Sequence, residues 1–384
     1  MKDMKGTCDP AFRTVADVFA AHIANGQEHG AALAVVVEGR TVVDLWGGYA
    51  DTGRTRAWER DTVVNVFSVG KGVTALCAHR LAARGLLDLE APVARYWPEF
   101  AAAGKEGVTV AQLLDHSAGL PAVRELLPAG TLYDWDAFSA ALAAETPWWE
   151  PGTQHGYHAI TFGFLVGEVL RRASGRSVRD LVREEIAAPL DLDLSVGLSE
   201  EADGRAADLL PPEPAPVPED HPMVRAMRDP ASMTALAFTN PRDLVERGLA
   251  HSMRWRRAII PAANAHANAL ALARMYGALV ARSAGAHLLA PAQVELAAAE
   301  RVSGEDLVLH APTRFGLGFM LPSVLRPFSP NPRAFGHPGA GGALGFADGE
   351  ARLGFGYTPN RLITAYEGGD PRWPAMLDAV YAGL

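Results

Sequence analysis

Only four of the 35 basic residues in this 384-residue chain are lysines: Lys2, Lys5, Lys71 and Lys105. Arginine serves wherever a solvated positive charge will do, so a lysine inside an apolar segment stands out. Cysteine is as scarce. Cys8 falls in what reads as a loose N-terminal segment and Cys77 on an apolar helix face. Such a pair excludes a disulfide framework and points to a reduced compartment. No basic run offsets the net charge of −9, which argues against a nucleic-acid partner. No stretch of about 18 apolar residues occurs, and no apolar h-region follows the first residues, so neither a membrane span nor a secretory signal is expected. The chain reads as cytoplasmic. There is no internal repeat, and none of the 13 serines lies in a G-x-S-x-G elbow, which excludes the machinery of the α/β-hydrolases.

What is present is an ordinary globular composition, 49% hydrophobic, in a chain long enough for a large core. Residues 11–25 read as a helix. Ala31 to Glu38 and Thr41 to Trp46 are β-branched runs joined at Gly39-Arg40, a hairpin signal. Thr62 to Phe67 reads as a short strand, and residues 69–84 switch to helical period with Val73, Leu76, Cys77 and Leu81 on one stripe. Helical patterns then dominate to about residue 190, notably Phe162 to Leu170 ended by Ser174-Gly175, and return over 266–282. Between them Leu210 to Pro218 is too proline-rich for helix or central strand and reads as a surface excursion. Strand character comes back at Phe315 to Leu321, Ala343 to Ala347, Ala351 to Tyr357 and Leu362 to Tyr366, with a turn at Asp348-Gly349, before a final helix from Trp373 to Tyr381. Strands at both ends with helices between predict one α+β catalytic domain over 1–384. An antiparallel sheet is assembled from both termini and flanked by helices. The sheet-bearing part is expected over roughly 1–67 and 285–384, and a mostly helical part over roughly 68–284 with the proline excursion at 210–222.

Three segments have the composition of chemistry. In Phe67-Ser68-Val69-Gly70-Lys71-Gly72 a serine opens a helix, where its own N–H and the helix dipole favour a developing oxyanion. A lysine three residues on shares that face, and burial would make its amine a base. An N-cap serine followed by a surface lysine would spell the same letters; the scarcity of lysine and the flanking glycines favour function. In Glu150-Pro151-Gly152-Thr153-Gln154-His155-Gly156-Tyr157 a forced turn places Tyr157 at the mouth of a helix, where its hydroxyl can shuttle a proton. In Gly336-His337-Pro338-Gly339-Ala340-Gly341-Gly342 the glycines let backbone approach a ligand, and the Ala340 N–H can join that of Ser68 in an oxyanion hole.

Together these segments resemble one family: class C β-lactamases, DD-peptidases and the esterases built on their scaffold. Ser68-Val69-Gly70-Lys71 resembles its S-x-x-K motif, Tyr157-His158-Ala159 its Y-x-N motif, and His337-Pro338-Gly339 its K-T-G motif. Gln112 to Pro121 is similar to the loop between the first two, and the likeness spans roughly 30–366. The resemblance implies a β-lactamase/transpeptidase-like fold with Ser68, Lys71 and Tyr157 as catalytic residues and no cofactor. Two departures matter. His337 replaces the lysine that helps hold a lactam carboxylate, and Ala159 replaces the asparagine that meets its acylamino group. The pattern resembles the carboxylesterases of the group (family VIII type), and a small neutral ester is the expected partner, with no nucleic acid, membrane or metal. His337, Gly339, Trp148 and Trp149 are expected to shape the substrate site. His116 belongs to the structural loop rather than to a Ser-His-Asp triad. A lactamase or D-amino-acid peptidase or amidase, an acyltransferase, and a non-catalytic acyl-binding relative are the rival readings.

Overall fold

The alternating and β-branched runs become strands in the computed structural model, which describes residues 4–213, 217–282, 287–364 and 369–384. In chain order these are β1 (Met4–Cys8), β2 (Gly30–Val37), β3 (Arg40–Gly48), β4 (Val64–Phe67), β5 (Leu194–Val196) and β6 (Ala265–Ala267). They are followed by β7 (Val302–Glu305), β8 (Pro312–Phe315), β9 (Phe335–Pro338), β10 (Leu344–Asp348) and β11 (Leu353–Pro359). One sheet runs β1-β3-β2-β11-β10-β9 with every neighbour antiparallel, so both ends of the chain meet in it, as expected. The first hairpin turns at Glu38-Gly39, one residue earlier than the sequence suggested. Both residues there take positive φ, 51° and 80°, the conformation that matches strand twist in a two-residue turn.

Helix Ala269–Val280 lies across β11, β2 and β10. It seats so closely that a Cβ added at Gly354 would stand 2.2 Å from the Gly277 nitrogen. This helix therefore belongs with the sheet, and the sheet-bearing part begins before residue 269 rather than near 285. The terminal helices Arg13–Ala24 and Trp373–Ala382 pack on each other, the former also against β1 and β3.

Other expectations are corrected. The N-terminal segment is not loose: it is edge strand β1, exposed at its three central positions and therefore without an apolar signature. β4 joins β6 and β5 in a separate three-stranded sheet, whose other two members, of three residues each, are too short to show a period. Of the run Phe315 to Leu321 only Phe315 is in a strand, because the chain bends at once through 316–318. Residues 362–364 are irregular and 365–366 lie outside the described residues. Leu362 donates its N–H to Leu210, which ties the start of the proline excursion to the C-terminal part. Among the described residues no helix is long and apolar enough to cross a membrane.

Candidate active site

β4 ends in a corner. Phe67 takes φ 46°, a region that a bulky side chain rarely adopts and that stores strain. The chain passes straight into helix Val69–Ala83, with Ser68 as its N-cap. The result is a sharp strand-to-helix elbow made without glycine at the strained position. The helix is buried at 12 of its 15 positions, so it runs through the core rather than along its edge, and it carries Lys71 inward. Ser68 stays half-buried and opens onto a cavity of about 310 Å³.

Lys71 is fully buried. Its Nζ lies 3.2 Å from Ser68 Oγ and donates to the carbonyls of Ala159 at 2.7 Å and Ala262 at 3.1 Å. It also stands 4.6 Å from the centroid of the Tyr157 ring. Burial holds its pKa well below the ordinary lysine value, since no solvent supports the charge. A neutral amine has two N–H bonds and one lone pair. In that form the two carbonyls account for both hydrogens, and the lone pair is free for the Ser68 hydroxyl. The Y-x-N-like motif thus contributes at Ala159 a backbone carbonyl rather than a side chain.

Tyr157 sits in the loop between the Pro151-Gly152 turn and helix Thr161–Ser174. Burial raises its phenol pKa, and a hydrogen bond with Ser68 offsets part of that rise. Its backbone N–H donates to Asp306 Oδ1 at 3.0 Å, and the same oxygen accepts from Val308 at 2.9 Å and Leu309 at 2.8 Å. Asp306, itself fully buried, is therefore the anchor of the tyrosine loop. His116 and His158 lie behind the ring, with His158 donating its N–H to His116 Nδ1 at 3.1 Å. Burial holds the His158 pKa down to about 3, and neither histidine lines the cavity. Asp306→Ala would strip three backbone N–H groups, two of them buried, of their acceptor. It is expected to destabilise the fold by about 3–5 kcal/mol and to lower turnover. Asp306→Asn, which keeps one oxygen, is expected to lose less in both; thermal unfolding and steady-state rates check this.

β9 brings the third segment to the same cavity. His337 is buried, and its Nδ1 donates to the Pro338 carbonyl at 2.7 Å. Burial holds its pKa down to about 3, so the ring is neutral and Nε2, which has no partner among the described residues, is an acceptor. Such a group does not bind a carboxylate. Gly339 and Ala340 line the cavity. Gly339 also passes so near β4, the strand that leads into Ser68, that a Cβ would stand 2.2 Å from the Val66 carbonyl. The expectation for the two tryptophans is corrected: neither lines the cavity. Trp148 bonds the Ala122 carbonyl at 2.8 Å beneath the Arg124 guanidinium, and Trp149 bonds the Ser117 carbonyl at 3.1 Å. Both brace the 116–124 loop. The apolar wall comes instead from Met223, Phe238, Leu309, Met320 and Leu325, with Met223 on the short helix that follows the proline excursion.

Sequence reasoning missed Asp306, the Ala262 carbonyl and Arg326. Arg326 lines the cavity and pairs with no carboxylate among the described residues; its Nη1 donates to the Leu325 carbonyl at 2.8 Å. The one available signal was indirect: a buried lysine needs acceptors. Among the described residues no group of three His, Cys, Asp or Glu side chains is placed to hold a metal.

The Beta-lactamase family profile matches residues 15–379. Esterase/beta-lactamase LipL of Mycobacterium tuberculosis is 37% identical over 368 residues, 94% of this chain and 83% of that protein. Among solved structures, a family VIII carboxylesterase is 40% identical, with a TM-score of 0.91 over 99% of this chain and 100% of that one. A penicillin-binding protein homologue from Caulobacter crescentus is also 40% identical, with a TM-score of 0.90 over the whole of both chains. The S-x-x-K-like corner, the tyrosine loop and the glycine turn thus sit on a known scaffold, and the chain belongs to the beta-lactamase family, as a serine hydrolase.

Proposed function

We propose that this protein is a carboxylesterase acting on short-chain esters through an acyl-enzyme on Ser68. The observation that carries the reading is the buried Lys71 amine, anchored on two backbone carbonyls with its Nζ 3.2 Å from Ser68 Oγ and its pKa held well below the ordinary lysine value. Ser68 attacks the ester carbonyl as its proton passes to the Lys71–Tyr157 pair. The N–H groups of Ser68 and Ala340 hold the tetrahedral oxyanion. The alkoxide leaves with a proton returned through Tyr157. Water then attacks the acyl-enzyme by the same route in reverse, releasing the acid and restoring the serine. A cavity of about 310 Å³ with an apolar wall suits a small acyl or alcohol group, and the neutral His337 suits an uncharged one.

The pH dependence follows from the sign of the lysine shift. Only the unprotonated amine accepts a proton, so kcat/KM is expected to fall with unit slope on acidification through the Lys71 pKa. Because burial lowers that pKa, the limb lies well below the ordinary lysine range. A profile still rising at pH 10 would contradict a neutral resting amine. The test of the function itself is p-nitrophenyl butyrate hydrolysis measured beside a chromogenic cephalosporin. A second reading, cleavage of a lactam or D-amino-acid amide bearing a carboxylate, is favoured by Arg326, a cavity cation that pairs with no carboxylate among the described residues. Dominant cephalosporin turnover would select it.

A further inference from the structure

The turn Ala340–Gly342 carries the proposed second oxyanion donor, yet it contains two consecutive glycines at positive φ, Gly341 at 81° and Gly342 at 113°. Such a segment has much conformational freedom, whereas an oxyanion hole works through donors fixed before the reaction starts. The freedom is removed from outside the turn. Arg372 Nη2 donates to the Gly341 carbonyl at 2.7 Å, and Trp373 Nε1 donates to the Gly342 carbonyl at 2.9 Å. With both carbonyls held, the Gly342 N–H reaches the Gly339 carbonyl at 3.2 Å. That carbonyl and the Ala340 N–H belong to one planar trans peptide and point opposite ways. Holding the Gly339 oxygen therefore aims the Ala340 N–H.

The clamp is itself rigid and dry. Arg372 is 1% exposed and is gripped by Asp370 through Nε at 2.9 Å and Nη2 at 2.6 Å, while Nη1 meets Glu28 at 3.0 Å and the Arg361 carbonyl at 3.0 Å. Glu28 in turn accepts from the Tyr357 hydroxyl, so the network is rooted in β11 and in the segment leading into β2. Gly342 fits against it so tightly that a Cβ would stand 2.1 Å from both Arg372 Nη2 and Asp370 Oδ2. Buried ion pairs of this kind add little net stability compared with apolar packing, and their best-attested use is to fix one geometry.

We infer that Arg372 and Trp373 are positioning residues that preorganise the Ala340 N–H for the oxyanion, with Asp370 and Glu28 holding Arg372 in place. The inference rests on the esterase reading at Ser68. Its test compares Trp373→Phe, which removes one N–H and keeps a ring, and Arg372→Met with wild type. The readouts are kcat and KM for p-nitrophenyl butyrate, the inhibition constant of an alkyl boronic acid that mimics the tetrahedral intermediate, and thermal unfolding. Loss of one oxyanion donor costs about 10²–10³ in kcat, so a misaimed donor should cost about 10-fold in Trp373→Phe and up to about 100-fold in Arg372→Met. KM should stay within about threefold, and boronate affinity should fall in parallel with kcat/KM. If Arg372→Met does not fold, Trp373→Phe alone carries the comparison. A folded Trp373→Phe with kcat and boronate affinity within twofold of wild type overturns the inference, as does a rate loss with unchanged boronate affinity. Ser68→Ala is run alongside: ester turnover surviving in it removes the esterase reading and this inference together, whereas a dead Ser68→Ala beside an unaltered Trp373→Phe removes this inference alone.

Discussion

Ser68→Ala is expected to lower ester turnover by about 10⁴–10⁶-fold, the scale reached when the nucleophile of a set acting as a unit is removed. The alanine keeps the Ser68 backbone N–H, the helix N-terminus and the cavity wall, so substrate affinity should change little and the loss should fall on kcat. Labelling by a fluorophosphonate should vanish with it. Neighbouring hydroxyls at Tyr157 and Thr364 also line the cavity, and neither has an amine at 3.2 Å as Ser68 does. Turnover within tenfold of wild type would move the nucleophile to one of these and dismantle the acyl-enzyme proposal.

Lys71→Met should be nearly as damaging, by about 10³–10⁵-fold in kcat, because the serine then has no base at contact distance. Its effect on stability should run the other way. In the unfolded chain Lys71 is protonated at neutral pH, whereas in the fold burial keeps its pKa low. The unfolded state therefore binds the extra proton, and stability rises with pH between the folded and unfolded pKa values. At pH 7 the lysine is a destabilising residue. Methionine fills a similar volume without that penalty, set against two carbonyls, Ala159 and Ala262, that lose their donor. The variant is expected to unfold at the same or a higher temperature than wild type at pH 7. Its advantage should shrink as the pH approaches the ordinary lysine range. A variant that is inactive and several kcal/mol less stable would mean that Lys71 is charged in the fold, and the lone-pair argument would fail.

Both expectations concern residues visible in the primary structure, and the reason is locality. The serine and lysine are three positions apart on one helix, the tyrosine follows a Pro-Gly turn and precedes another helix, and the glycine turn is contiguous. Spacing and composition over half a dozen residues suffice to recognise each. The two-ended sheet was legible for a similar reason: its strands are apolar enough to declare themselves at both ends of the chain. Strands without that signature, such as the exposed β1 and the three-residue β5 and β6, were not.

What tertiary structure decided lies across long separations. The state of the Lys71 amine depends on carbonyls 88 and 191 residues away, and the aim of Tyr157 on a carboxylate 149 residues away. Trp148 and Trp149, next to the tyrosine loop in sequence, point into the 116–124 loop instead, since their N–H groups find carbonyl partners there. Arg326, which no motif contains, reaches the cavity that the lysine of a K-T-G motif would serve. Local sequence determined which groups carry the chemistry. Burial and distant hydrogen-bond partners, which no spacing encodes, determined their protonation, their direction and the walls around them.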